Sequence, residues 1–214
     1  MNVLVLGASG ASGRRILERA LACGHRATGF ARDVAKLSVG HPGLSLAAGD
    51  VTVGSTLERA VTGHDAVVWA VGGHDRLRDP RRGQPGVCAI GTAALLAAMR
   101  DAGVRRLVCQ SSWGVADGLQ RAPLLYRHVI FPLLLRDELA DKAEQERLIR
   151  ASDADWTIVR PARLTDAPGT GRYRAAPQLR FSTRSHVPRA DVADLIVRAL
   201  EDLTFINKTI EISA

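Results

Sequence analysis

The residues with the clearest chemical meaning lie near the N-terminus. In LGASGASGRR, Leu6 to Arg15, glycines stand at Gly7, Gly10 and Gly13, separated only by Ala8, Ser9, Ala11 and Ser12. A loop without bulk lets the backbone turn tightly, approach a pyrophosphate closely and pack the next helix against a strand. The start of that helix offers unpaired N–H groups and the positive end of a dipole. Glycine-rich turns are common, so the string alone says little. The apolar NVLVL before it and the helical pattern after it supply the context of a dinucleotide-binding turn. Gly7, Ser9, Gly10, Ala11, Ser12 and Gly13 are the first candidate contacts.

The end of the second strand selects the dinucleotide: an acid suits the ribose hydroxyls of NAD, an arginine the 2′-phosphate of NADP. Here the chain reads GFARDVAK, with Arg32 at the strand end and Lys36 one turn on. Two cations at that spacing suit a phosphate, so NADP(H) is the expected cofactor. Asp33 could argue for NAD, but it reads rather as the cap of the short helix DVAKLS. Asp50 closes the third strand in AGDV, where its carboxylate can accept from an adenine amino group with Val51 beside the ring. The other reading of Asp50 is a turn or helix cap.

These residues need a scaffold. NVLVL, RATGFA, LSLAAGD, DAVVWAVGG, RRLVCQSS, DWTIVRP and KTIEIS read as strands. GRRILERALACGH reads as a helix with Ile16, Leu17, Ala20 and Leu21 on one face and Gly24 as its stop. STLERAVTG reads as a helix with a Ser55–Glu58 capping box. A long helix is expected over Pro85 to Ala102, closed by Gly103, and mostly helix over Leu119 to Ala151, with breaks or kinks at Pro123 and Pro132. A short strand pair is expected within Ala162 to Pro188, then a helix in PRADVADLIVRALED with Pro188 near its first turn. Strands alternating with helices from end to end predict an α/β, doubly wound, mainly parallel Rossmann sheet. With no repeat or linker, one domain over 1–214 is expected.

Composition narrows the function classes. The chain has 214 residues and a net charge of +7, and its basic residues are almost all arginine, with lysine only at Lys36, Lys142 and Lys208. There is a modest cluster at Arg76, Arg78, Arg81 and Arg82, but no basic helix and no aromatic-interleaved basic patch. The excess therefore reads as arginine-rich style plus a site for anionic ligands, not a nucleic-acid surface. LLYRHVIFPLLL falls short of the roughly 20 residues of a membrane span and is broken by Arg127, His128 and Pro132. The chain opens directly on a strand, so no signal peptide and a cytoplasmic location are expected. The three cysteines, Cys23, Cys88 and Cys109, are odd in number and widely spaced, which suits a reducing compartment and no zinc or other metal site.

GASGASG, ARD, AGDV, AVGG, QSS, KAEQERLIRASDADWTIVRP and PRADVA, in this order along nearly the whole chain, resemble the atypical short-chain dehydrogenase/reductases of the NAD(P)H-binding, NmrA-like group. Size and motif order are most similar to the biliverdin-IXβ reductase/flavin reductase type. The resemblance implies a Rossmann domain with a small C-terminal substrate lobe, built here mainly from 162–188. It also implies NADP(H) binding and reduction of flavins, quinones or related conjugated acceptors. Some members bind cofactor without catalysis, as redox-sensing regulators, and an isomerase or dehydratase would share every motif. Carried over, Gly7 to Gly13 hold the pyrophosphate, Arg32 and Lys36 the 2′-phosphate, and Asp50 and Val51 the adenine. Val71 and Gly72 mark the crossing point beside the nicotinamide ribose, and Ser112 orients the nicotinamide or acceptor. Lys142 holds the ribose hydroxyls.

Two departures bear on mechanism. The Tyr-x-x-x-Lys pair of ordinary short-chain dehydrogenases is missing: Glu138 stands four residues before Lys142, Tyr126 is followed by Ile130, and Tyr173 by Pro177. The histidine that the flavin-reductase type carries after the sixth strand is Arg163 here. Hydride transfer needs no protein nucleophile, and a stacking acceptor depends less on a positioned acid than a simple ketone does. The expected activity is NADPH-dependent reduction of such an acceptor, a small molecule whose anionic character Arg163 could stabilise. No nucleic-acid or membrane partner is expected. Trp113 reads equally as a stacking face or a core residue. His74 reads as solvent-facing, with a phosphate or acceptor contact as the alternative. His128 and His186 have no assigned role.

Overall fold

The computed structural model describes residues 1–37, 40–72 and 86–214. His74 and the arginine cluster at Arg76, Arg78, Arg81 and Arg82 lie outside the described residues. The strands are β1 (Asn2–Leu6), β2 (Arg26–Ala31), β3 (Leu44–Ala48), β4 (Ala66–Trp69), β5 (Arg106–Gln110), β6 (Asp155–Pro161), β7 (Arg163–Thr165), β8 (Arg174–Ala176), β9 (His186–Pro188) and β10 (Lys208–Ser213). Among the described residues they build an eight-stranded sheet in the order β3-β2-β1-β4-β5-β6-β10-β8, parallel except for β8, which runs antiparallel to β10. The expected pair within 162–188 is β7 with β9, joined in parallel with Arg163 opposite His186.

Alternation along β1 explains how the sheet is covered. Val3 and Val5 point into one core with Ile16 and Leu17 of α1 (Ala11–Ala22) and Ile196 of α6 (Arg189–Glu201). Leu4 and Leu6 point into the opposite core. There they meet Leu57 of α2 (Gly54–Val61), Leu95 and Met99 of α3 (Val87–Asp101) and Ile149 of α5 (Arg136–Arg150). A strand buried on both faces must be apolar at every position, as NVLVL nearly is. Gly24 and Gly103 take left-handed φ values of 82° and 71° just past α1 and α3, which suits their reading as stops.

One local expectation is corrected, the cap of α2, and the mostly helical stretch over 119–151 with a break at Pro123 is as expected. Helix α2 begins at Gly54 behind Val53 with no side-chain cap, so the Ser55–Glu58 box does not form. Its entry is held from upstream: the Thr56 hydroxyl donates to the Asp50 and Val53 carbonyls, both at 2.7 Å. The stretch before α5 is a four-residue helix α4 (Gly118–Arg121) and then a π-helical segment, Tyr126–Leu135, running directly into α5. Pro123 separates the two. Pro132 lies inside the π segment, which continues past it without a break.

Strand β1 has β2 on one side and β4 on the other, so successive crossovers leave it in opposite directions. In a sheet of this topology the ligand crevice is expected outside the C-terminal ends of the strands at the reversal, here β1 and β4.

Candidate functional site

The glycine turn joins β1 to α1 at these strand ends. The N–H groups of Gly7 and Ala8 both donate to the Phe30 carbonyl at 3.1 Å, tying the turn to β2. Each glycine has its own reason. Gly7 has φ +79°, and a Cβ there would lie 2.9 Å from the Ala70 backbone. A Cβ on Gly13 would lie 2.3 Å from the Gly7 carbonyl oxygen, so α1 could not seat against β1. Gly10 has an ordinary extended backbone, φ −77° and ψ 163°, and a Cβ there would meet only the Gly7 oxygen, at 3.2 Å. What its missing side chain preserves is space in front of α1, which has no side-chain cap. Ser9 and Ser12 are half-buried beside that space and Ala11 is exposed. Tight turn, close approach and helix packing are the three demands of a pyrophosphate site, so these residues fit a dinucleotide.

Cations gather at the end of β2. Arg32 is exposed there. Asp33 caps the short 3-10 turn Val34–Lys36, accepting from the Ala35 N–H at 3.1 Å, and its other oxygen pairs with Lys36 Nζ at 3.1 Å. Lys36 thus offers its charge in a pair. Sequence reasoning missed Arg14. Its Nη2 donates to the Lys36 carbonyl at 2.9 Å, and its Nε is buried with no hydrogen-bond partner among the described residues. An arginine directly after the third glycine was the available signal. Asp50 Oδ1 accepts from the Thr52 N–H at 2.9 Å and its hydroxyl at 2.8 Å, the turn reading. The Thr52 N–H bond leads in holding the Asp50 carboxyl below its usual range; burial opposes it, and the Thr52 hydroxyl and Arg32 add to it. Val51 is buried in the core with Leu57 and Trp69.

On the other side of β1 lie β4 and β5, with α3 and α5 packed on one face of them. Val71 is half-buried just past β4, its carbonyl accepting from Trp69 Nε1 at 3.1 Å, and Gly72 is exposed. Gln110 closes β5 and donates through Nε2 to Ser12 Oγ at 3.2 Å. Ser111 is buried and donates to Glu146 Oε1 at 2.6 Å; Ser112 follows, half-buried. Lys142 of α5 is only 4 % exposed, so it is not an ordinary solvated lysine. Burial works against its charge. The neighbouring Cys88 and Cys109, then Glu138 and Glu146, act the other way, and its pKa stands above the ordinary lysine value. Asp141, one residue earlier, accepts from the Cys88 and Ala89 N–H groups at 2.9 and 2.8 Å. Gln145 donates to Thr92 at 2.8 Å, completing the seam between α5 and α3.

A buried charge network runs from here to β6, β10 and Leu179. Arg160 of β6 grips Glu146 with Nε at 2.9 Å and Nη2 at 2.6 Å, and reaches Asp117 with Nη1 at 2.8 Å. Arg121 bonds Asp117 at 2.6 Å and also Glu211, whose second oxygen accepts from the Leu179 N–H at 2.7 Å. Trp113 is a core residue, buried with Tyr126, Phe131 and Phe181 at ring distances of 5.1, 5.4 and 4.9 Å. The Tyr173 hydroxyl donates to Asp194 at 2.6 Å and accepts from Arg198; burial first, then Asp194, pushes it up to about 12. Both tyrosines of the chain are engaged in these contacts. Arg163 is exposed on β7, and His186 Nδ1 sits 2.9 Å from the Arg184 carbonyl. His128 is exposed. Among the described residues no group of three or more His, Cys, Asp or Glu side chains is arranged to hold a metal ion, and no helix is long and apolar enough to cross a membrane.

Comparison with known proteins agrees with this geometry. Residues 7–203 match the model of an NAD(P)H-binding family. The chain is 33% identical over 222 residues to an uncharacterised chloroplastic protein of Arabidopsis thaliana, covering 99% of this chain and 76% of the relative. It shares its fold with a short-chain dehydrogenase/reductase from Veillonella parvula solved in complex with NADP, with TM-score 0.83 and 20% identity over 100% of this chain and 94% of the other. It likewise shares it with the anaerobillin reductase ChuY from Escherichia coli O157:H7, with TM-score 0.81 and 20% identity over 99% and 96%. The matched span runs from the glycine turn to just past α6, and the chain belongs to this NAD(P)H-binding family, on a Rossmann fold.

Proposed function

We propose that the protein is an NADPH-dependent reductase of a conjugated small-molecule acceptor such as a flavin, a quinone or a tetrapyrrole-like compound. The observation that carries this reading is that Lys142 of α5 is buried while Glu138, not a tyrosine, stands four residues before it. A simple ketone gains most from a positioned phenol acid; an extended acceptor spreads the incoming charge and takes its proton from solvent. The dinucleotide supplies the hydride when bound. The glycine turn holds its pyrophosphate, and Lys142 its nicotinamide ribose. Ser112 orients the reacting rings, and Arg163, exposed on the lobe, meets the negative charge of the acceptor. An anaerobillin reductase on the same fold supports tetrapyrroles as one acceptor class to test.

Arg32 and Arg14, with Lys36 beside them, favour a 2′-phosphate over a free hydroxyl. One charge-assisted contact corresponds to about 1.5–3 kcal/mol, so NADPH is expected to bind at least about tenfold tighter than NADH. Calorimetry with both cofactors checks this; equal affinities, or a ratio unchanged in Arg32→Ala, would refute it. NADPH oxidation is then followed with flavin, quinone and tetrapyrrole acceptors. Turnover with one of them is the expected result. Tight binding without turnover of any would replace this reading with a non-catalytic NADP(H) sensor.

A further inference from the structure

Gln110 is the last residue of β5, and only 9 % of it is exposed. Its amide is half satisfied. Nε2 donates to Ser12 Oγ in the first turn of α1, but Oε1 is buried and meets no hydrogen-bond donor among the described residues. A buried amide oxygen without a donor is costly and calls for one.

Topology says which donor can come. Arg32 and Asp50 lie at the ends of β2 and β3, so the adenosine half of a dinucleotide belongs on that side of β1. Strand β5 lies on the other side, beyond β4, where the nicotinamide half belongs. Chemistry narrows it further. The pyrophosphate, bound next to Ser12, has only acceptor oxygens at neutral pH and cannot satisfy Oε1. The nicotinamide half carries donors: the ribose hydroxyls and the carboxamide amine. The Ser12 bond fixes the amide plane and presents Oε1 before any ligand arrives.

We propose that Gln110 is a cofactor-positioning residue whose Oε1 accepts a hydrogen bond from the nicotinamide nucleoside half, while its Nε2 anchors that contact to the pyrophosphate turn through Ser12. This rests on the crevice being the cofactor site. It makes Gln110 a reader of the nicotinamide end, as Arg32 is of the 2′-phosphate end.

Gln110→Met keeps the length of the side chain and removes both amide groups. Three ligands separate its effects by calorimetry on the full chain: NADP⁺, 2′-phospho-ADP-ribose, which keeps the second ribose but lacks nicotinamide, and 2′-phospho-ADP, which keeps both phosphates of the pyrophosphate but lacks the second nucleoside. Expected is a loss of about tenfold for NADP⁺ and a change within about twofold for 2′-phospho-ADP. If 2′-phospho-ADP-ribose weakens with NADP⁺, the donor is a ribose hydroxyl; if it does not, the donor is the carboxamide. Equal weakening of all three would overturn the proposal, since Gln110 would then act only through the turn. Unchanged NADP⁺ affinity would overturn it outright. Wild-type protein that binds none of the three would refute the cofactor site, and the role of Gln110 with it. Should Gln110→Met fail to fold by circular dichroism, Gln110→Ser is measured with the same ligands and judged by the same outcomes.

Discussion

Lys142 sits on α5 with thiols and carboxylates around it and almost no solvent. With no tyrosine to tune, its removal should cost cofactor placement rather than a proton relay. Lys142→Met is expected to weaken NADPH binding, or misplace the nicotinamide, by about 1–3 kcal/mol for one lost charged hydrogen bond. Calorimetry and single-turnover reduction of a flavin acceptor would show it, and a variant indistinguishable from wild type would exclude the role. Glu138→Gln should change binding by no more than a few tenths of a kcal/mol, as for a helical i,i+4 neighbour. Normal binding with a lost chemical step would instead make Glu138 the acid. Gly10 is a purely steric case. Its φ of −77° suits any residue, so Gly10→Val should keep the wild-type circular dichroism spectrum while abolishing NADPH binding. Wild-type binding by this variant would remove the turn from the site.

Helix α5 does more than carry Lys142. Helix α3 starts behind Gly86, which has φ +85° and no side chain to cap the helix. Asp141 supplies the missing acceptor from α5, bonding two first-turn N–H groups of α3. Losing such a cap costs about 0.5–2 kcal/mol, and Asp141→Ala should lower the stability measured by urea unfolding by about that much. Ser55→Ala is the contrasting case. The sequence pattern marks Ser55 as a cap, but α2 makes no use of its side chain as one, so its removal should stay within about 0.5 kcal/mol. A clear loss on Ser55→Ala would restore the capping box.

Across the whole molecule, the chain of Glu146, Arg160, Asp117, Arg121 and Glu211 joins the end of β5 to β6, β10 and the Leu179 backbone. Burial acts to raise the Asp117 carboxyl, but bonds from Arg121 and Arg160 outweigh it and bring it down to about 2. An unfolded aspartate titrates near about 3.9, so this carboxyl's contribution is present above that pH and is lost as pH falls toward about 2. Melting temperature should therefore drop across this window. Asp117→Asn should melt lower at neutral pH and show a shallower decline between about pH 4 and about pH 2. An unchanged acid profile in Asp117→Asn would place the acid sensitivity elsewhere in the network.

Much of the fold was legible because it is local. Apolar runs such as Asn2–Leu6 and Arg26–Ala31 mark buried strands by residue type, and the spacing of Ile16, Leu17, Ala20 and Leu21 marks the face of α1. The glycine turn was legible for the same reason: backbone freedom and absent bulk belong to the residues themselves. Asp33 as a cap needed only its two-residue reach to Ala35. What lay beyond the sequence were partners brought together by the crossovers. Gln110 meets Ser12 across 98 positions, and Asp141 reaches α3 across 52 and 53. The burial of Lys142, the core role of Trp113 and the place of β8 in the sheet depend likewise on how helices stack and where the lobe folds back. Residue type and spacing set backbone conformation and the face each side chain takes. Which side chain it meets is decided when distant elements pack, because that contact depends on the relative placement of whole helices and strands.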